Sequence, residues 1–396
     1  RCARCRMSAA RALDAETLAR AADILQRAQR SAEGAGYTVQ TTRIATHPLF
    51  EDMSGAAEAM LLAYAADLQT ICERAGIGYL SLGPAPADDP AFSLALLALI
   101  PRLIAPHAAL NAAVQLASDS HGVRYDATLA VAQGMRELAE RSAGEANFRF
   151  AALACCAPGG PFFPQAYARG DVWALSVGLQ SADLVGRAIA SAVAETPLAE
   201  TETPLVRLPR LGAAITQALT EAATPVVALI QTAAREAECA FGGIDLSPAP
   251  MGGESIARAL EGAGLGRFGG AGSLALTATV TAAIKAVALP TCGYCGLMLP
   301  VLEDELLGQR CAEGALDVPT LLQLSAVCGT GLDTIPLPGE TPPARIAAVL
   351  ADVATLAWRL RKPLSARLFL TPGGRAGEST TFTSPYLTNT RILALE

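Results

Sequence analysis

The stretch FGGIDLSPAP, residues 241–250, carries an apolar run that stops on Asp245 and Ser247, after which Pro248 and Pro250 forbid continuation. It reads as a strand that ends with polar groups at its tip. In α/β sheets ligands collect beyond the carboxyl ends of parallel strands, so the Asp245 carboxylate and the Ser247 hydroxyl mark a candidate site. The plain alternative is that Asp245 caps a turn and Ser247 caps the next helix, since both are ordinary turn residues. The same grammar returns in GLMLPVLEDE, which sets Glu303, Asp304 and Glu305 past an apolar run, and in CGTGLDTIPLPGE, which sets Asp333 between glycines and prolines. The acidic triplet has a second reading, as the opening of a helix whose dipole it complements.

Upstream of this stretch, apolar periods of about 3.6 and 2 alternate. Leu18, Ala21, Leu25 and Ala28 share one helical face, and YTVQTTRIAT follows as a strand. Next come a helix over 54–75, the strand IGYLSLG, a helix over 92–104 broken at Pro101, and the strand LNAAVQLAS. The polar loop SDSHGVRYDAT then carries Ser118, Asp119, His121, Arg124 and Asp126, with Asp126 as N-cap of a helix over 128–143. NFRFAALACC is a strand with Arg149 inside it, VWALSVGLQ is another, and 205–239 is one long helix or two meeting near Pro225. Downstream lie two helices around a glycine loop, a short strand around CGLMLPV, a helix over 302–311, a loop through Asp333, a helix capped by Thr341, and the strand SARLFLTPGG with Arg367. This alternation predicts an α/β fold with a parallel sheet covered by helices. Residues 14–396 are expected to form one domain, with 1–13 a doubtful or disordered start and Met7 nearer the natural beginning.

The chain has 396 residues, of which 52% are hydrophobic and 17% charged, so it can fill a large core and is not disordered as a whole. A net charge of -7 and only two lysines, Lys285 and Lys362, argue against nucleic acid as a partner, because neutralising phosphates takes clustered basic residues. No uncharged run of the roughly 18 to 20 residues that span a bilayer is expected, so no membrane is anticipated. The start lacks the apolar segment of a secretory signal. The ten cysteines read as small buried hydrophobes, and the reading is a cytoplasmic protein.

Other motifs are weak. Gly264-x-Gly266-x-x-Gly269 has the letters of a dinucleotide fingerprint, but a helix precedes it, so no nucleotide signal is read; Ser273 then caps the next helix, where backbone amides offer an anion subsite. There is no haem signal. Cys2-x-x-Cys5 and Cys292-x-x-Cys295 read as turns or packed thiols before zinc or redox sites. His121, in a loop rich in partners, is the histidine to consider as a general base, oriented by Asp119 or Asp126. The acidic tips either bind a divalent metal or hold a carboxyl with a raised pKa for acid–base work.

FGGIDLSPAP, CGLMLPVLEDE, SAVCGTGLDTIPLPGETP and KPLSARL, with GYTVQTTRIA and FRFAALACCAPGGPFFPQAY, together resemble the family called domain of unknown function 711, from about Thr38 onward. The resemblance implies a fold similar to the pyruvate formate-lyase barrel: ten strands in two parallel five-stranded halves, packed antiparallel and wrapped by helices. It also implies a homodimer, and it assigns no catalytic residue. Where relatives carry histidine in two blocks, this chain has Ala168 and Ala271. Cys155-Cys156 is similar to the paired cysteines of glycyl radical enzymes, yet the C-terminal Arg-Val-x-Gly-aromatic block of those enzymes is absent, which argues against radical catalysis.

The resulting expectation is an enzyme acting on a small polar or anionic metabolite. Asp245, Glu303, Asp304, Asp333 and His121 are the catalytic candidates, and Ser247, Arg149, Arg367, Ser118 and Ser273 the ligand-binding ones. The alternative is a metabolite-binding or regulatory protein without turnover.

Overall fold

A computed structural model describes residues 2–8, for their backbone, together with 14–251 and 253–395. Ten strands are described: β1 (Cys2–Ser8), β2 (Thr38–Ala45), β3 (Leu80–Ala85), β4 (Leu110–Ser118), β5 (Gly122–Val123), β6 (Phe150–Ala154), β7 (Ala174–Gln180), β8 (Ala240–Asp245), β9 (Gly331–Pro338) and β10 (Leu364–Thr371). They form one mixed, mostly parallel sheet in the order β8-β7-β1-β2-β3-β4-β6-β10-β9, with the short β5 beside β4. β1, β2, β3, β4 and β6 run parallel, and β7 joins β1 and β10 joins β6 antiparallel. β8 and β9 then pair parallel to β7 and β10. The start set apart in the sequence reading thus contributes a strand between β2 and β7, whereas residues 1 and 9–13, and the side chains of Cys2 and Cys5, lie outside the described residues.

These pairings leave β8 and β9 at the two ends of the path. The segment between them, expected as a strand around CGLMLPV, forms none, but it makes a parallel bridge from Thr291 to Ile244 of β8 and another from Pro300 to Asp333 of β9. It passes so close to the loop before β9 that a Cβ on Gly329 would sit 2.5 Å from the Gly296 Cα, which is why both positions are glycine.

Period-2 alternation decides which side chain faces which layer. Along β4, β6 and β10, Ala112, Val114, Leu116, Phe150, Ala152, Leu364, Ala366 and Leu368 enter the large core shared with the helices. Their alternates, Asn111, Ala113, Gln115, Ala151, Leu153, Ser365 and Arg367, are also buried, on the opposite face. There Ala113, Ala151 and Leu153 meet Phe162, Ala249, Tyr294 and Met298 in a separate small cluster. Both faces of the sheet are therefore covered, one by helices and the other by the chain's own loops.

The helices follow their apolar stripes. Ala15–Gly34 starts at Asp14, whose side chain accepts from the Thr17 amide, and buries Leu18, Ala21, Leu25 and Ala28. Pro101 sits in the first turn of Ile100–Ile104 instead of breaking a helix, a position where its missing N–H costs nothing. Tyr125–Ser142 begins earlier than expected, with Arg124 as its N-cap and Asp126 in the first turn. Leu208–Glu236 runs unbroken through Pro225. With the preceding turn it spans Pro204–Glu236, long and apolar enough by length and composition alone to cross a membrane, although Glu221 interrupts it. Leu211, Ile215, Leu219, Val226 and Ile230 are buried along it, against helices Ala182–Ala194 and Ser273–Lys285.

Candidate functional site

Three of the predicted residues meet. Arg367, on the face of β10 turned away from the helices, donates from Nε to Asp333 Oδ1 at 2.6 Å and from Nη2 to Glu303 Oε1 at 2.5 Å. Its guanidinium also lies 5.3 Å from the Phe148 ring centroid. Burial opposes its charge, but the two carboxylates and their hydrogen bonds outweigh that and hold its pKa above the ordinary arginine value. Asp333 is not in a loop: it is the third residue of β9, toward the amino end of the strand, with its side chain on the polar face. A strand boundary was misread there because glycine and proline at both ends of GLDTIPLP look like loop punctuation.

The Arg367 group lines a cleft with about 850 Å³ of atom-free space, narrow enough that only about 50 Å³ admits the centre of a water molecule. Across it stand residues the sequence reading passed over. Arg43, on β2, is 6% exposed and lies 4.7 Å from the Tyr79 ring centroid and 5.3 Å from that of Phe163. Tyr294 donates to Ser365 Oγ at 2.8 Å, and Ser365 donates on to the Thr330 carbonyl at 3.1 Å. Burial, with Cys156 nearby, pushes the Tyr294 phenol well above its ordinary pKa, so it is a neutral donor. Gln165, almost wholly buried, donates to the Ala157 carbonyl while its Oε1 has no partner among the described residues. For Arg43 and Ser365 the sequence signal is a polar residue at alternate positions of a strand, as in Leu-Ser-Ala-Arg-Leu at 364–368, whereas Tyr294 and Gln165 lie outside the strands and carry no such signal.

The other predicted residues lie elsewhere, each bound into local structure. Asp245 is fully buried at the end of β8, where Oδ1 accepts from the Ser247 amide (2.9 Å), the Ser247 hydroxyl (2.7 Å) and the Cys295 amide (3.1 Å), and Oδ2 from the Tyr294 amide (2.7 Å). Ser247 Oγ in turn accepts from the Gly296 amide. Desolvation raises the Asp245 pKa against the pull of these donors. The pair folds the 292–296 turn that delivers Tyr294 to the cleft. A Cβ at Gly293 would collide with Asp245 Oδ2, and φ is +71° there. Asp304 is also buried: it accepts from the Ser255 hydroxyl and from the amides of Ile256, Ala257, Leu306 and Leu307, capping the helices Ile256–Glu261 and Glu305–Ala312 at once. The helix-opening reading of the acidic triplet is the correct one for this residue.

Arg149 precedes β6 and donates from Nη1 to the carbonyls of Ile104, His107 and Leu110 at 2.6–2.8 Å, fixing the single connection that leads into β4. Burial lowers its pKa to about 10. Ser273 is the first residue of its helix, not the cap, and accepts from the Gly269 amide. Ser118 and His121 line a different cavity at the far ends of β3, β4 and β6, where His121 Nδ1 faces Asp88 Oδ2 at 3.3 Å. Asp126 pairs with Arg124 and does not orient His121. Cys156 is buried and raised to about 12, Cys155 is half-buried and raised to about 11, both chiefly by desolvation. Among the described residues no three His, Cys, Asp or Glu side chains gather as metal ligands. The carboxylates expected to share a metal are instead divided between an arginine, a turn and two helix ends.

Comparison with known proteins agrees with the resemblance seen in the sequence blocks. The family described as "Uncharacterised ACR (DUF711)" matches residues 1–384. A UPF0210 protein of Pyrobaculum islandicum is 31% identical over 88% of this chain and 77% of its own length. One from Methanopyrus kandleri is 30% identical over 80% and 70%. One from Pyrobaculum arsenaticum is 44% identical over 37% of this chain and 34% of its own. The chain belongs to the DUF711 family, whose relatives here carry the name UPF0210 protein.

Proposed function

We propose that the chain is an enzyme for a small polar or anionic metabolite bound in the cleft between Arg43 and the Glu303–Arg367–Asp333 group. The observation that carries this reading is a sheet face that is polar yet buried: Asn111, Asp333, Ser365 and Arg367 turn away from the helices and toward one narrow space. Burying polar groups costs free energy without structural return unless they are paired or serve a ligand. The bridges from Thr291 to β8 and from Pro300 to β9 support closure of the sheet into a barrel of the pyruvate formate-lyase kind, with the 291–300 segment as its last stave. Such closure makes the polar face an interior.

In this reading Arg43, held flat by Tyr79 and Phe163, takes the ligand's anionic group. Glu303 is the more exposed of the two carboxylates on Arg367 and exchanges a proton with the ligand, while the Tyr294 hydroxyl orients it. The narrowness of the cleft restricts the ligand to a few non-hydrogen atoms. Cytoplasmic location and a homodimer belong to the same proposal.

The test is a thermal-shift screen with small carboxylates and small hydroxy acids, followed by mass spectrometry for turnover of each hit. A hit whose stabilisation is lost in Arg43→Ala and whose turnover is lost in Glu303→Gln supports the proposal. Hits that bind equally well to both variants would sink it, and binding without turnover would make the chain a metabolite-binding protein.

A further inference from the structure

We propose that the ligand of the cleft is a zwitterion, a small amino acid whose ammonium group is received by Asn111 while its carboxylate meets Arg43. The proposal rests on the cleft being the ligand site and adds the class of compound it takes.

Asn111, on β4, lines the cleft and is 1% exposed. Its Nδ2 donates to the Ala109 carbonyl at 3.0 Å and lies 3.5 Å from the Leu80 carbonyl, which fixes the amide and turns Oδ1 the other way. Oδ1 has no partner among the described residues, and unlike Gln165 Oε1 it is not sealed off by its neighbours, so it opens on the cleft. A buried acceptor without a donor is costly. Two carboxylate oxygens share its condition: Arg367 takes Asp333 Oδ1 and Glu303 Oε1, which leaves Asp333 Oδ2 and Glu303 Oε2 without a hydrogen bond among the described residues. A simple carboxylate ligand has no donor for any of the three. An ammonium group carries three N–H donors and no acceptor.

Charge leads to the same class of compound. Tyrosines aside, the titratable side chains that line the cleft are Arg43 and Arg367 against Glu303 and Asp333, which balance. Burying a net charge in such a space is unfavourable, and a zwitterion brings none. In the order β2-β3-β4-β6-β10, Asn111 stands two strands from Arg43 and two from Arg367, about 10 Å along the sheet on either side. Arg43 and Asn111 line the same cleft from one face of the sheet, so they hold the two ends of one short molecule.

The test is calorimetric titration of the full chain at neutral pH with glycine and with β-alanine, which differ in the spacing of their two charges. The controls are propionate and butanoate, in which a methyl group replaces the ammonium, and glycolate, in which a hydroxyl replaces that of glycine. At least one amino acid should bind saturably and at least tenfold more tightly than its methyl counterpart. Asn111→Leu should remove that preference with little change for the counterpart, and Arg43→Ala should abolish binding. The comparison with the counterparts is made on the parent chain and needs no variant to fold. Propionate, butanoate or glycolate binding through Arg43 as tightly as the matching amino acid would overturn the zwitterion and leave the cleft reading standing. Amino-acid binding unchanged in Arg43→Ala would sink the cleft reading with it. No binding of either amino acid at about 10 mM, or a preference that survives in Asn111→Leu, would also overturn the proposal.

Discussion

Replacing Arg367 with methionine keeps the length and apolar stem of the side chain and removes the charge that Asp333 and Glu303 share. Two unit charges about 4 Å apart attract by about 4 kcal/mol at an effective dielectric constant of about 20, and Arg367 makes two such contacts. Desolvation of three buried ions offsets much of that gross attraction, and breaking a buried pair typically costs about 3–5 kcal/mol because the remaining charges lose their partner. For a chain of 396 residues the unfolding entropy is about 0.8 kcal/mol per kelvin, so Tm should fall by about 4–6 °C. The pH dependence gives the sharper test. In the variant two carboxylates face each other without a cation, so the folded state binds protons more readily than the unfolded chain. Its stability deficit therefore grows as pH rises out of the acid range and shrinks on acidification, by up to about 1.4 kcal/mol per pH unit for each proton taken up. Urea unfolding of both proteins between acid and neutral pH measures this, and adding Glu303→Gln should restore part of the loss. A variant within about 1 kcal/mol of the parent at neutral pH, with a parallel pH profile, would show that the group is no buried ion cluster.

Asp304→Ala strips the cap from two helices at once and should cost about 2–4 kcal/mol by urea unfolding, while ligand binding in the cleft is retained by the folded fraction. Gly329→Ala drives a methyl group into the Gly296 backbone, so a loss of about 1–3 kcal/mol or more is expected, and a neutral outcome would mean that the 291–300 segment is not seated against the loop before β9. Cys155 should be alkylated slowly by iodoacetamide at neutral pH, with a rate that rises roughly tenfold per pH unit toward about 11; peptide mass spectrometry would expose a plateau below pH 9 as a contradiction.

Much of the fold is local information. The helix at 15–34 and the strands at 38–45, 110–118 and 364–371 follow from apolar period and caps, which act over a few residues. Family membership is legible as well, because several ordered blocks recur together. The site is divided. Asp245, Asp304 and Asp333 look alike in the chain, each an acid after an apolar run, and no local signal separates them. Which of them reaches a cleft depends on long-range partners: Asp304 on helix ends at 256 and 306, Asp245 on the turn at 294, Asp333 on an arginine 34 residues later. The amino-acid sequence by itself determined most of the helices and strands, the α/β class and the supply of acidic and basic groups. Only the tertiary structure decided which charges meet, because pairing across strands depends on register and sheet order, and those are settled by the packing of the whole chain.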